Sequence, residues 1–429
     1  MAWSQNSPEY AKLIETGRPP NIRKLFPNSK ALIVSGKVID RALKSQGRAM
    51  TISANGRNHL IIRGVLAAAQ KAEAAVLIEI AKSEGGAKFY CATSYWNLAR
   101  QVDALINEMG LTIPVAIHAD HYGIKNDQDL ETARTEVPSM FEAGITSIAI
   151  DASHLPDDKN LLASLAINPY IPKWAGLECE VGEIKGDIGL STPEDALFLV
   201  QGLNAHDIHP DWIALNNGTT HGIQASATGI HVDLTAQIHE AIKPYGLSGA
   251  QHGTSGNSSD RLREIARRTH TTKANVATAL QMVSWGVKID DYGNAELDES
   301  GGFVKVPGRG MSEELWAELL ANGQAQKLKA GDYKKFNLEY ENKFLGQARE
   351  YRERMAGDVA DFVYNLLTNV FSAQGSAQPA YEALMKAGSY DLGQKAGRLE
   401  DPADWTPEKI VQKAAALSGD KGPGGNFDD

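Results

Sequence analysis

Seven short apolar runs along the first two-thirds of the chain each end on a polar residue of the kind that binds a metal or moves a proton. Eight stretches read as strands: residues 48–53, 75–80, 114–117, 147–150, 177–180, 212–215, 247–250 and 273–276. They are spaced by about the length of one strand–helix unit. Helical periodicity fills the gaps. Residues 59–72 carry Leu60, Ile61, Val65, Leu66 and Ala69 on one side, and residues 95–109 carry Leu98, Val102, Leu105 and Ile106. Ser191-Thr192-Pro193-Glu194-Asp195 is a helix start, with a hydroxyl cap, an early proline and early acids.

Strand and helix alternating eight times predict an α/β fold, a (β/α)8 TIM barrel, with an open doubly wound sheet as the rival. After about residue 300 the alternation stops. Gly301-Gly302 and Pro307-Gly308-Arg309-Gly310 mark a loop, and helices are predicted over 312–322, 334–355, 359–373 and 380–387. The expected organisation is an N-terminal extension at 1–30 (with Pro19, Pro20 and Pro27), a barrel at 31–300, a helical C-terminal region at 301–417 and a mobile tail at 418–429.

Composition narrows the function. The 429 residues exceed the roughly 250 that one barrel needs. A net charge of −10 argues against a general nucleic-acid binder, which wants a basic surface, although a local basic pocket can still hold an anionic small molecule. Cys91 and Cys179 form no Cys-x-x-Cys pair, so neither a zinc ribbon nor a disulfide framework is suggested. The first residues lack a signal sequence, and no apolar stretch reaches the roughly 20 residues that span a bilayer. A cytoplasmic protein with no membrane partner, assembled as a homodimer or higher homo-oligomer, is expected.

The strand ends carry the chemistry. In order they are Ser83-Glu84-Gly85-Gly86; His118, Asp120 and His121; Asp151 and Ser153; Glu180 and Gly182; Thr219-Thr220-His221-Gly222; His252-Gly253-Thr254-Ser255-Gly256; and Asn275 with Thr278. In the His-x-Asp-His run, the Glu-x-Glu-x-Gly run, the Thr-His-Gly turn and the His-Gly-x-Ser-Gly loop, the chain resembles the class II, metal-dependent fructose-bisphosphate aldolases. The resemblance covers about residues 45 to 285.

It implies a zinc-dependent aldehyde-lyase that reversibly cleaves a ketose phosphate to dihydroxyacetone phosphate and an aldehyde. Fructose 1,6-bisphosphate, giving glyceraldehyde 3-phosphate in glycolysis and gluconeogenesis, is the first candidate; tagatose or sedoheptulose bisphosphate are alternatives. His121, His221 and His252 are the implied zinc ligands, and imidazoles from three strand ends suit a zinc site that keeps one position open. Asp120 by resemblance exchanges the proton of the C4 hydroxyl; the plainer reading is a carboxylate that orients a histidine. Asp151 and Glu180 match family positions that bind an alternative or second cation, divalent or monovalent, or that orient ligands.

Gly253, Thr254 and Ser255 would face the phosphate, because glycines let backbone amides approach an anion at a helix start, with a tight turn as the bland alternative; Gly222 is a further substrate-binding candidate. Asn275 and Thr278 would hold substrate, as would Ser83, which is weaker because a serine before Gly-Gly is often a turn former.

Three departures stand out. Lys185 replaces a family glycine, and Ile188 sits where the family carries a mobile glutamate, so Asp187, with Glu183 in reserve, is expected to move the carbanion proton. Ala225 replaces a lysine near the phosphate. The family's Asn-x-Asp-Thr-Asp is here Asn275-Val276-Ala277-Thr278-Ala279. For the far phosphate, Arg309 is the suggested arginine. Two other functions fit the same barrel: a non-catalytic aldolase-like partner subunit, and a Schiff-base aldolase using Lys273.

Overall fold

The computed structural model describes residues 3–87, 89–182, 189–219, 229–299 and 301–417. Its strands are β1 Ile33–Val34, β2 Thr51–Asn55, β3 Val76–Ala81, β4 Val115–Gly123, β5 Ser147–Asp151, β6 Gly176–Val181, β7 Trp212–Leu215, β8 Ser248–Gln251 and β9 Thr271–Val276. All pair in parallel, and β9 returns to β2 through Thr51↔Lys273 and Ser53↔Asn275, so β2 to β9 close into an eight-stranded TIM barrel. Each predicted strand forms one of these eight. Their residues are buried almost throughout, as in Val76–Ala81, because side chains fill the barrel inside and helices cover it outside.

β1 was not foreseen. Ile33 pairs with Val115 and Val34 with Ala116, whereas β5 first meets β4 at His118↔Ser147. The two residues of β1 therefore cover the start of the β4 edge, whose backbone groups β5 leaves open. The outer helices begin on side-chain caps. Asn58 accepts from Ile61 N at 3.0 Å ahead of the helix His59–Ala72, and Thr192 and Asp195 form a reciprocal box at the start of Pro193–Ala205.

The C-terminal helices pack onto the barrel. Arg349–Asn365 lies along His59–Ala72 so closely that a Cβ at Gly64 would stand 2.4 Å from Ala356 O. The single helix predicted over 334–355 is instead broken into short pieces. The break at Gln347, whose backbone is extended, lets its side chain accept from Ser312 N at 2.9 Å. At the other end of the chain, Pro8–Gly17 packs against Ala377–Ala387 and buries Tyr10 and Leu13 in the main core.

Residues 389–405 cross the barrel's N-terminal face as a strap. Arg41 donates to Leu392 O and Gly393 O, and Asn204 Oδ1 accepts from Leu399 N and Glu400 N. Between these ties Lys395 reaches inward among the strand starts. Its Nζ lies 2.6 Å from Asp40 Oδ2 and 2.7 Å from Asp211 O, and Asp40 Oδ1 accepts from Thr272 Oγ1 at 2.7 Å. The strap ends on Trp405, buried against Phe198.

Candidate active site

At the opposite, C-terminal end of the strands, β4 supplies most of the chemistry. Strand alternation puts His118 and Asp120 on one face, and His121 would point away. The pairing with β5 slips between Ala119 and Tyr122, and His121 adopts φ +42°. This bulge turns His121 inward beside Asp120. The result is two sequence neighbours that both reach groups from other strands.

His121 Nε2 lies 2.7 Å from His252 Nδ1, the second imidazole standing just after β8. Carboxylates hold the outer nitrogen of each ring. His121 Nδ1 sits 3.2 Å from Asp151 Oδ2 and 3.1 Å from Glu180 Oε1, and His252 Nε2 sits 2.8 Å from Glu178 Oε1. With the outer nitrogens as donors, the two facing nitrogens both present lone pairs, which repel unless a proton or a cation lies between them. That donor set fits a metal, as in carboxylate–histidine–metal triads. Ligand atoms of Asp120, His121 and His252 all lie within 4.8 Å of one another, as do those of His121, Asp151 and Glu180.

Burial, then the charge of Asp151, pushes the Glu180 carboxyl well up. Burial acts on Asp151 in the same sense, but its hydrogen bond to His121 and the attraction of that ring outweigh it and hold the carboxyl well below the usual range. Asp120 Oδ1 accepts from Asn275 Nδ2 at 2.8 Å. The other amide atom, Asn275 Oδ1, is buried and has no hydrogen-bond partner among the described residues.

Beneath these groups lies Lys273 on β9, fully buried. Its Nζ is 2.8 Å from Glu178 Oε2, 3.1 Å from His118 Nε2, 3.5 Å from Glu79 Oε2 and 3.8 Å from Asp120 Oδ1. Burial alone would depress its ammonium, but Glu178, Glu79 and Asp120 reverse that and push it up. Burial, then Lys273, pushes His118 well down, so its ring is neutral, with Nδ1 2.8 Å from Ser147 Oγ. Burial, then Asp120, pushes Glu79 well up; Ser53 Oγ donates to it.

The loop after β8 has Gly253 at φ +59° and Gly256 at φ +92°, then Ser258 capping the helix Ser259–Arg268. Thr254 commits its hydroxyl hydrogen to Asn275 O. Ser255 lines a neighbouring cleft of about 340 Å³. Ser83 stands in the short helix Lys82–Gly85 after β3, and Thr278 opens Thr278–Trp285 after β9; both are half-buried. His221, Gly222 and Asp187, with Glu183, Lys185, Ile188 and Ala225, lie outside the described residues. The Arg309 guanidinium pairs with Asp358 on the C-terminal helix. The sequence reading gave Glu79 and Glu178 no role, although Glu178 begins the Glu-x-Glu-x-Gly run. The available signal was a charged residue inside an apolar strand, as in Val76-Leu77-Ile78-Glu79-Ile80.

Imidazoles and carboxylates gathered at the strand ends of a closed barrel define an enzyme of the kind that can hold a metal ion. The family model described as "Fructose-bisphosphate aldolase class-II" matches residues 36–325, and the chain belongs to that family of aldehyde lyases, which are generally metal-dependent and act on sugar phosphates. Among curated relatives, a fructose-bisphosphate aldolase of Streptococcus pneumoniae (strain TIGR4) is 31% identical over 261 residues, 58% of this chain and 80% of the relative. One of Streptococcus pyogenes serotype M6 is 30% identical over 280 residues, 62% and 86%. Among solved structures, the YdjI aldolase from Escherichia coli K12 superposes with a TM-score of 0.53 at 16% identity, covering 80% of this chain and 99% of that one. Fructose-bisphosphate aldolase from Campylobacter jejuni gives 0.53 at 17%, covering 81% and 97%. At such identities these two speak for the fold. No helix among the described residues is long and apolar enough to cross a membrane.

Proposed function

We propose that the protein is a zinc-dependent aldolase that reversibly cleaves a ketose phosphate, with fructose 1,6-bisphosphate as first candidate and tagatose or sedoheptulose bisphosphate as alternatives. The observation that carries this is the pair of carboxylate-held imidazoles of His121 and His252, 2.7 Å apart, with Asp120 beside them. His121, His252 and His221 would hold the zinc, with Asp151 and Glu180 as orienting groups or a second cation site. Bound zinc would supply Lewis-acid polarisation of the substrate carbonyl.

The chain's own residues do the rest. Asp120 takes the proton of the C4 hydroxyl in cleavage and returns it in synthesis. Asn275 aims Asp120 through its amide nitrogen and offers Oδ1 to a substrate hydroxyl. Backbone amides of residues 253–256, at the start of Ser259–Arg268, take the phosphate. Ser83, Gly222, Thr254, Ser255 and Thr278 line the substrate, and Asp187 moves the carbanion proton. The buried, fully engaged Lys273 disfavours the Schiff-base alternative. A homo-oligomer is the proposed assembly.

The test is metal analysis of the purified protein together with a cleavage assay across several ketose bisphosphates. About one zinc per chain and chelator-sensitive release of dihydroxyacetone phosphate are expected. Bound zinc without cleavage of any ketose phosphate would instead favour a partner-subunit role.

A further inference from the structure

Lys273 has the residue type of a Schiff-base former and the surroundings of something else. An ammonium has three hydrogens. One goes to Glu178 Oε2 at 2.8 Å, one to His118 Nε2 at 3.1 Å, and the third faces Glu79 Oε2 at 3.5 Å. No lone pair is left to attack a carbonyl. The side chain is fully buried, as are those of Glu178 and Glu79, so the three groups are held away from bulk solvent.

We infer that Lys273 is a positioning residue: by anchoring one oxygen of Glu178, it holds the other against His252 Nε2, and so keeps His252 Nδ1 free for metal. Glu178 sits on β6 between two partners. Its Oε2 accepts from Lys273 and its Oε1, at 2.8 Å, accepts from His252 Nε2. An ammonium can only donate, so the carboxylate must present an acceptor to Lys273, and the lie of its plane then presents the other oxygen to His252. His252 Nε2 carries the hydrogen as a result, and Nδ1 keeps its lone pair facing His121 Nε2. The short hydrogen-bonded route from Lys273 to His252 runs through Glu178; on the ring's other side the Asn275 amide nitrogen lies 3.5 Å from Nδ1, which suits a lone pair there. This inference rests on the proposed metal role of His252.

The relay makes a prediction that a merely structural lysine does not. In Glu178→Gln the ammonium still demands an acceptor, so the amide oxygen turns to Lys273 and the amide NH2 turns to His252. Nε2 must then accept, the hydrogen moves to Nδ1, and it points at His121. In the double variant Lys273→Met with Glu178→Gln nothing dictates the amide's orientation. It can rotate its oxygen back to His252 and restore the original tautomer. Removing the lysine therefore repairs the glutamine variant.

Two readouts on the full chain test this. One is the 15N chemical shifts of the His252 ring in zinc-free protein, which report the tautomer. The other is zinc affinity by competition with a chromophoric chelator. Glu178→Gln should show the Nδ1–H form and bind zinc about 10–100-fold more weakly, the usual cost of losing such a partner. The double variant should return to Nε2–H and regain most of that affinity. The inference is overturned if Glu178→Gln keeps the Nε2–H tautomer, or if the double variant binds zinc no better than Glu178→Gln. Should the double variant fail to fold, the tautomer of Glu178→Gln against the parent decides alone. If the parent itself takes no zinc, the functional proposal falls, while the 15N shifts still report whether the relay exists.

Discussion

Replacing Glu341 with glutamine should flatten the dependence of stability on pH between 5 and 8. Glu341 begins the helix Glu341–Gly346, where the C-terminal region meets the barrel helix His59–Ala72. Its Oε1 accepts from His59 N at 3.1 Å, and its Oε2 is buried with no hydrogen-bond partner among the described residues. Burial raises the carboxyl from 4.5 to about 7. The folded state thus holds this proton more tightly than the unfolded chain. The stabilisation is complete below about pH 4.5 and is lost as pH rises through about 7. At about 1.4 kcal/mol per pH unit the gap sets a ceiling of about 3.5 kcal/mol, which partial solvent access reduces to about 2 kcal/mol. Glutamine has the shape of the protonated acid and cannot ionise. Urea unfolding of parent and Glu341→Gln at pH 5, 6, 7 and 8 should show the variant gaining about 2 kcal/mol on the parent across the series. Every other titrating group is common to both proteins and drops out of the comparison. Parallel curves would refute the reasoning, since they would mean that Glu341 ionises in the fold as easily as in the unfolded chain.

Further outcomes follow from the site and the strap. Asp120→Asn should lower turnover by about 10²–10⁴ while leaving zinc content unchanged, read by steady-state kinetics with metal analysis; near-normal turnover would return Asp120 to an orienting role. Lys395→Met strands the buried Asp40 carboxylate and should cost about 3–5 kcal/mol in denaturant unfolding, most of it recovered by adding Asp40→Asn; a loss below about 1 kcal/mol would show that Asp40 is content with Thr272. Borohydride added with substrate should leave Lys273 unmodified by mass spectrometry, and a trapped adduct there would reinstate the Schiff base.

The barrel was legible because parallel strands buried on both faces read as short apolar runs with helical periodicity between them. β1 was not, since two residues carry no period, and neither was the break at Gln347, which answers a tertiary hydrogen bond to Ser312. In the site, Asp120, His252 and Asn275 stand where the strand-end pattern put them, and the structure brings them together with His121, Asp151 and Glu180. That His121 joins its neighbour Asp120 on the inside depends on a bulge that no residue pattern announces. Glu79 and Glu178 were given no role in the site for a different reason. A charged residue alternating with apolar ones usually faces water, and only closure of the sheet turns that face into a dry interior where charges must find one another. For Lys273 the residue type suggested a nucleophile, and only the three acceptors around it reveal a fully occupied donor.

The strap also imposes an order in time. Asp40 and the lysine that neutralises it are 355 residues apart. A ribosome adding about 5–20 residues per second needs roughly 20–70 seconds to cover that distance. Throughout that interval the Asp40 carboxylate has been made and the cation that meets it has not. The strands can pair as they emerge, but the underside is sealed only when residue 395 arrives. The barrel cannot close before β9, residues 271–276, has been made, so only between that point and the arrival of residue 395 can it stand closed at its sides and open at its floor, and that is the interval in which the nascent chain would have most need of a chaperone.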